Sequence, residues 1–228
     1  MANNLRVVIA AAGTGSRMKS NINKQYMLLK GKPVLYYSLQ TFNSSDLVDE
    51  IVVVAHPDEV DYCWENVVKK YQFTKVKKII PGGRERQDSV VQGLKNLNAD
   101  TDLVAVHDGA RPLLPSGLIH EIYIEAKKHG AAIPGVPVTD TIKMVDKDGL
   151  VSATLDRSSI MAVQTPQIFA YGKLLKAYEL AFRDNFIGTD DASLYEKYIG
   201  QVKLVLGDPN NIKITTPKDL IIAEQLLG

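Results

Sequence analysis

The chain has 228 residues, 45% of them hydrophobic and 23% charged, with a formal net charge of +1. That balance excludes a disordered chain and a dedicated nucleic-acid surface, which would be strongly basic, and no run approaches the ~20 apolar residues of a membrane span. A single cysteine, Cys63, excludes an internal disulfide and suits a cytoplasmic location.

Taken in order, the chain opens with a six-residue apolar run, residues 7–12, too short for a signal-peptide core. It enters the loop Gly13-Thr14-Gly15-Ser16-Arg17, with Lys24 following after a polar stretch. A buried strand running into glycines, whose backbone N–H groups cradle anions, suits a phosphate ligand, and Arg17 and Lys24 add two positive charges. A P-loop is excluded because no Gly-Lys-Ser/Thr occurs at the required spacing. A dinucleotide fingerprint fails because Met18 stands where the third glycine is needed. Without the two basic residues, Gly-x-Gly alone is equally an ordinary turn after a core strand.

Residues 33–42 have helical spacing behind a proline, 49–55 read as a buried strand, 59–71 as a helix and 76–80 as a third strand. A second glycine loop, Pro81-Gly82-Gly83-Arg84, leads into a helix over 86–97. Residues 103–107 form a fourth strand ending at Asp108-Gly109-Ala110-Arg111, and Ser116 is expected to cap a helix running to His129. This alternation predicts an α/β fold: a Rossmann-like, doubly wound and mostly parallel sheet. All three unusual loops follow strands, so they belong at the carboxyl edge where such sheets bind ligands.

The pattern changes after Ala131. Residues 141–145 and 150–155 flank Asp146-Lys147-Asp148-Gly149, which predicts a protruding β-hairpin arm whose free edges suit pairing with a second subunit. A helix over 173–182, a helix opened by Thr189-Asp190-Asp191, a strand over 202–206, a short strand over 211–214 and a closing helix over 217–227 complete the chain. No linker separates two domains, so residues 1–228 read as one domain with an arm at 137–161. The four histidines, His56, His107, His120 and His129, lack metal-ligand spacing.

The stretches AAGTGSRM with NKQY, GGRERQDSV, VHDGARP, PVTDTIK, DRS, QTPQ, TDDASL and DPNNIKITTPKDL stand in the order found in the 2-C-methyl-D-erythritol 4-phosphate cytidylyltransferase family, which the chain resembles from Leu5 to Leu227. The resemblance implies that a polyol phosphate, methylerythritol phosphate, attacks the α-phosphorus of CTP and that pyrophosphate leaves. It implies Mg2+ held mainly by the CTP phosphates, a homodimer, and no nucleic-acid or membrane partner. A phosphate is already a nucleophile at neutral pH, so positioned cations and not a general base are the parts such a reaction demands.

By the same resemblance, Arg17 and Lys24 stabilise the transition state at the triphosphate. Ala11, Ala12, Gly13, Thr14, Gly15 and Ser16 supply backbone contacts to it, and Gly83 and Ser89 contact cytosine and ribose. Asp108 faces a ribose hydroxyl, a substrate hydroxyl or hydrated magnesium, while its alternative role is a turn cap beside Arg111. Arg111 is a substrate contact or the partner of an acidic neighbour. Thr141 and Arg157 are expected to reach the methylerythritol phosphate across a dimer interface, with Thr165 and Lys213 completing that pocket and Lys213 orienting the attacking phosphate. Three competing readings are a ribitol-5-phosphate cytidylyltransferase, which shares the glycine loop, QTPQ and NIK-TTP, an NAD-dependent oxidoreductase, and a nucleotide-binding module without turnover.

Overall fold

The structure is a computed structural model that describes residues 4–13 and 23–228. The first strand, β1 (Leu5–Ala11), is buried along nearly its whole length, and its side chains alternate between two cores. Val7 and Ile9 pack on one face, and Val8 on the other. Burying a side chain of this kind contributes roughly 1.5–3 kcal/mol, which explains why an uninterrupted apolar run forms the centre of the sheet.

Chain order then gives β2 (Leu28–Leu29) and β3 (Lys32–Pro33), a small separate ribbon, and α1 (Val34–Asn43). Next come β4 (Val48–Ala55), the short α2 (Val60–Cys63) and β5 (Val76–Pro81), followed by α3 (Arg86–Lys95), β6 (Leu103–Asp108) and α4 (Ser116–His129). β5, β4, β1 and β6 lie side by side and parallel, so chain order reverses between β1 and β6. This is the switch point at which doubly wound sheets open a crevice beyond their carboxyl ends. α1, α2 and α4 cover one face of the sheet, and α3 covers the other.

The second half is β7 (Ala131–Pro137), the hairpin β8 (Lys143–Val145) and β9 (Val151–Thr154), β10 (Met161–Val163), β11 (Gln167–Ala170), α5 (Tyr171–Arg183), α6 (Asp191–Tyr198), β12 (Lys203–Leu206) and α7 (Pro217–Leu226). β11 inserts antiparallel between β6 and β7, while β10 pairs antiparallel with β7 and β12 parallel to it. Six of the eight strands of this sheet therefore share one direction, and the sheet is mixed but mostly parallel. The hairpin is a two-stranded sheet of its own. Its turn is closed by Asp146 N–H donating to the Leu150 carbonyl at 2.9 Å, with Gly149 at φ 80°.

Two expectations are corrected and one is refined. Residues 211–214 form no strand: the segment makes one ladder-like bond, Ile214 N–H to the Ala110 carbonyl at 2.8 Å, and buries Ile214 against Leu29, Val34 and Ala223. The helix expected over 59–71 is present as a continuous helical stretch but is not uniformly α: a 3-10 turn at Pro57–Glu59 leads into α2 and then a π-helical segment at Trp64–Lys69. Ser116 is the first residue of α4 and not its cap; Pro115 stands at the cap position and no side chain caps the end. Among the described residues no helix is long and apolar enough to cross a membrane.

Candidate active site

Two cavities lie at the carboxyl edge of the sheet. The first, about 240 Å³, is lined by Ala11, Ala12 and Gly13 at the end of β1, by Lys24, by Gly83 and Ser89 of the second glycine loop, and by Asp108 and Lys213. The second, about 430 Å³, is lined by Arg111, Gln164, Thr165, Asp190 and Ser193. Arg86, Asp108 and Lys213 line both, so the cavities meet at these three side chains. Thr14, Gly15, Ser16 and Arg17 lie outside the described residues.

In the first cavity, close approach explains the glycines. A Cβ on Gly82 would sit 2.4 Å from the Ala12 Cβ, and one on Gly83 2.3 Å from the Asp88 Cβ. Gly83 N–H donates to the Ser89 hydroxyl at 3.1 Å, which itself donates to the Glu85 carbonyl at 3.1 Å, so Ser89 props the loop that it lines. Glu85 and Asp88 form a reciprocal cap on α3, with Glu85 N–H donating to Asp88 Oδ2 at 3.0 Å. Across the cavity, Gln25 Nε2 donates to the Ala11 carbonyl at 2.6 Å and fixes the 3-10 turn Lys24–Tyr26 beside the end of β1.

Where the cavities meet, charges alternate. Lys213 Nζ is 2.7 Å from Asp108 Oδ2, Arg86 Nε is 3.3 Å from Asp108 Oδ1, and Arg86 Nη2 is 2.7 Å from Asp191 Oδ2. Burial alone would raise the Asp108 carboxyl, but Arg86 and Lys213 outweigh it and hold the group well below the ordinary carboxylate range. Arg86 behaves likewise: burial disfavours its charge, and Asp191 and Asp108 more than restore it.

The second cavity rests on a hydrogen-bonded chain behind β6. Asp108 N–H donates to the Thr165 hydroxyl at 3.1 Å, which faces His107 Nδ1 at 3.2 Å, and His107 Nε2 faces the Arg111 carbonyl at 3.3 Å. A carbonyl only accepts, so Nε2 carries a proton, and in the neutral imidazole Nδ1 is then the acceptor that faces the Thr165 hydroxyl. Burial lowers His107 to about 3, in keeping with that tautomer. Arg111 Nη1 donates to the Asn211 carbonyl at 2.7 Å, and Asn211 Nδ2 to the Thr165 carbonyl at 2.9 Å, which ties the segment carrying Lys213 to the end of β6. The Arg111 Nε is buried without an acceptor among the described residues.

The structure thus brings together Ala11, Ala12, Gly13, Lys24, Gly83, Ser89, Asp108 and Lys213 in one cavity, and Arg111, Thr165, Asp108 and Lys213 in the other. It does not bring Thr141 or Arg157 to either within one chain. Both are exposed at the base of the hairpin, where Arg157 Nη1 donates to the Thr139 carbonyl at 2.7 Å. The sequence reading missed Arg86 and Asp191. The available signal was that each begins a helix directly after a polar loop, Arg86 after the second glycine loop at the predicted ligand edge and Asp191 after Thr189-Asp190.

The sequence profile of the 2-C-methyl-D-erythritol 4-phosphate cytidylyltransferase family matches residues 5–228. The chain is 47% identical to the protein of that description from Caldanaerobacter subterraneus subsp. tengcongensis, over 98% of this chain and 99% of the relative. It is 46% identical to that of Clostridium novyi, over 96% and 95% respectively. The 4-diphosphocytidyl-2C-methyl-D-erythritol synthase of Anaerococcus prevotii superposes with a TM-score of 0.87 at 32% identity, covering 98% of this chain and 95% of that one. With both the profile and these relatives spanning nearly its full length, the chain belongs to the 2-C-methyl-D-erythritol 4-phosphate cytidylyltransferase family.

Proposed function

We propose that the chain transfers the cytidylyl group of CTP to 2-C-methyl-D-erythritol 4-phosphate, releasing pyrophosphate and forming 4-diphosphocytidyl-2-C-methyl-D-erythritol for isoprenoid synthesis. Family membership supports the reaction. The single structural observation that carries the assignment of parts is the meeting of two cavities at Arg86, Asp108 and Lys213. The glycine-lined cavity suits a nucleotide, and the polar one a second phosphate-bearing molecule.

In the step itself, a phosphate oxygen of the alcohol phosphate bonds to the α-phosphorus of CTP. The bond from that phosphorus to the oxygen bridging to the β-phosphate breaks, and its electron pair leaves with pyrophosphate. Two polyanions must approach in line, so repulsion and developing charge dominate the barrier. Lys213 holds the attacking phosphate, pre-positioned by Asp108. Arg111, whose buried Nε has an unused donor, suits the same anion. Lys24, together with Arg17, neutralises charge growing on the triphosphate. Gly83 and Ser89 read the base and ribose, Thr165 shapes the alcohol side, and the backbone of residues 11–13 lines the triphosphate, to which residues 14–16 are assigned from the sequence alone.

A magnesium ion fits the donor set: two carboxylates, Asp108 and Glu85, line the nucleotide cavity, too few for a cage made by the protein alone, which suits an ion bound chiefly by phosphates and water. When bound it would supply charge neutralisation on the phosphates. The chain is read as one nucleotidyltransferase unit with an arm at 137–161 that joins it to a second copy. Met144, Val145, Leu150 and Val151 on the arm are each more than half exposed, which supports a partner surface there. Through that interface Thr141 and Arg157 would reach the other copy's alcohol phosphate. The buried thiol Cys63 and the nucleotide substrate suit a cytoplasmic enzyme.

The test is pyrophosphate release with phosphorus NMR of the product. Release that requires both CTP and methylerythritol phosphate, with a new diphosphate ester, supports the reading. Release from CTP alone, or none at all, contradicts it.

A further inference from the structure

Arg86 and Asp191 are charged side chains at this edge to which the transfer chemistry above gives no part. Asp191 is wholly buried and accepts from the Tyr178 hydroxyl at 2.5 Å on Oδ1, while its Oδ2 takes Arg86 Nη2 at 2.7 Å. An arginine facing a single carboxylate tends to engage both of its oxygens as a fork. Here the guanidinium is shared, and only its Nε reaches Asp108, at 3.3 Å and on Oδ1. Oδ2 of Asp108 is thereby left for Lys213 at 2.7 Å.

We infer that Asp191 is a positioning residue for the transfer: it draws Arg86 aside, so that Asp108 keeps an oxygen with which to hold Lys213 between the two cavities. The inference rests on the assignment of Lys213 to the attacking phosphate. The anchor is rigid because Asp191 opens α6 directly after the capping Asp190, and Ala192 N–H donates to the Gln167 side chain on β11 at 3.0 Å. Removing the Asp191 charge lets Arg86 close on both Asp108 oxygens and displace Lys213. Asp191 touches no substrate and acts through Arg86 and Asp108.

A double-mutant cycle tests this, because residues that act through one another lose additivity. Asp191→Asn is made in the wild-type and Lys213→Ala backgrounds, and kcat and both KM values are measured with CTP and methylerythritol phosphate. Asp191→Asn should lower kcat by about tenfold or more in the wild-type background and by less than about twofold in Lys213→Ala, with the KM for CTP nearly unchanged. Equal losses in both backgrounds, a change confined to the KM for CTP, or a lowered Tm with unchanged kcat overturns the inference. If Asp191→Asn does not fold, Tyr178→Phe serves in the same cycle, with a smaller loss of about threefold expected only where Lys213 is present and the same contrary outcomes. Failure of the wild-type chain to turn over overturns the functional reading and this inference with it, whereas an active wild type with additive losses overturns this inference alone.

Discussion

Lys213 Nζ lies 2.7 Å from Asp108 Oδ2, a contact that joins the loop before α7 to the end of β6. Lys213 is about one-third exposed and Asp108 is almost buried, so the pair is open on the lysine side only. On the proposed assignment of Lys213, an incoming phosphate would meet a cation already held in place, and less ordering would remain to be done at the moment of reaction.

Lys24 lines the first cavity, which the proposed function gives to the nucleotide. Lys24→Ala should lower kcat by on the order of 10²-fold with a much smaller rise in the KM for CTP, as expected of charge that matters most in the transition state. Steady-state kinetics with varied CTP check this. A near-normal kcat with only a raised KM would remove Lys24 from the proposed role.

Gly83→Ala should damage nucleotide binding. The added Cβ would meet the Asp88 Cβ at 2.3 Å, and Asp88 is half of the cap on α3. Overpacking of this kind costs about 1–3 kcal/mol. The measurement is chemical denaturation together with both KM values: stability should fall by that amount and the KM for CTP should rise more than that for the alcohol phosphate. An unperturbed KM for CTP would dissociate the second glycine loop from the nucleotide.

His107 sets a pH dependence of stability. It is neutral in the folded chain, with its pKa lowered by burial from 6.5 to about 3. Between those values the unfolded chain binds the additional proton, so stability falls as pH falls through the window, by about 2 kcal/mol between pH 7 and 5. Asp108 is shifted downward, so its contribution is lost only below its ordinary value of 3.8 and does not overlap this range. Denaturant unfolding of the wild type and His107→Gln at pH 7 and pH 5 should show their stability difference narrowing by about that amount. Parallel losses would mean that His107 is not the titrating group.

How much of this could be read from the residues follows from where each signal resides. β1, β4 and β6 are covered on both faces, so their apolar runs announce them, and the loops that follow locate the crevice. β10 and β11 are three and four residues long, and the reversal of β11 between β6 and β7 is set by pairing that no local pattern encodes. Residues 211–214 look like a strand because Ile212 and Ile214 alternate with polar neighbours. Their apolar side chains instead belong to the small cluster with Leu29, Val34 and Ala223. The ion pair of Arg86 and Asp191 joins residues 105 positions apart, so each separately resembles an ordinary helix-start charge.

The arm predicts a shared active site. Arg157 sits on an exposed 3-10 turn, Arg157–Ser159, away from both cavities of its own chain. Mixing Arg157→Ala with Lys24→Ala chains, each nearly inactive, should restore part of the activity, because one site of the mixed dimer regains both residues. Full activity from a species that sediments as a monomer at assay concentration would contradict this.

The most direct test compares kcat/KM for methylerythritol phosphate and ribitol 5-phosphate at fixed CTP and magnesium. Methylerythritol phosphate carries a branching methyl, and ribitol phosphate is longer and unbranched. A methyl contact discriminates by only ~10–200-fold, whereas a buried polar group left without its partner discriminates by several orders of magnitude. A clear preference for methylerythritol phosphate, with CTP strongly favoured over UTP, is the predicted result. Equal or higher efficiency with ribitol 5-phosphate would contradict the assignment of the second cavity.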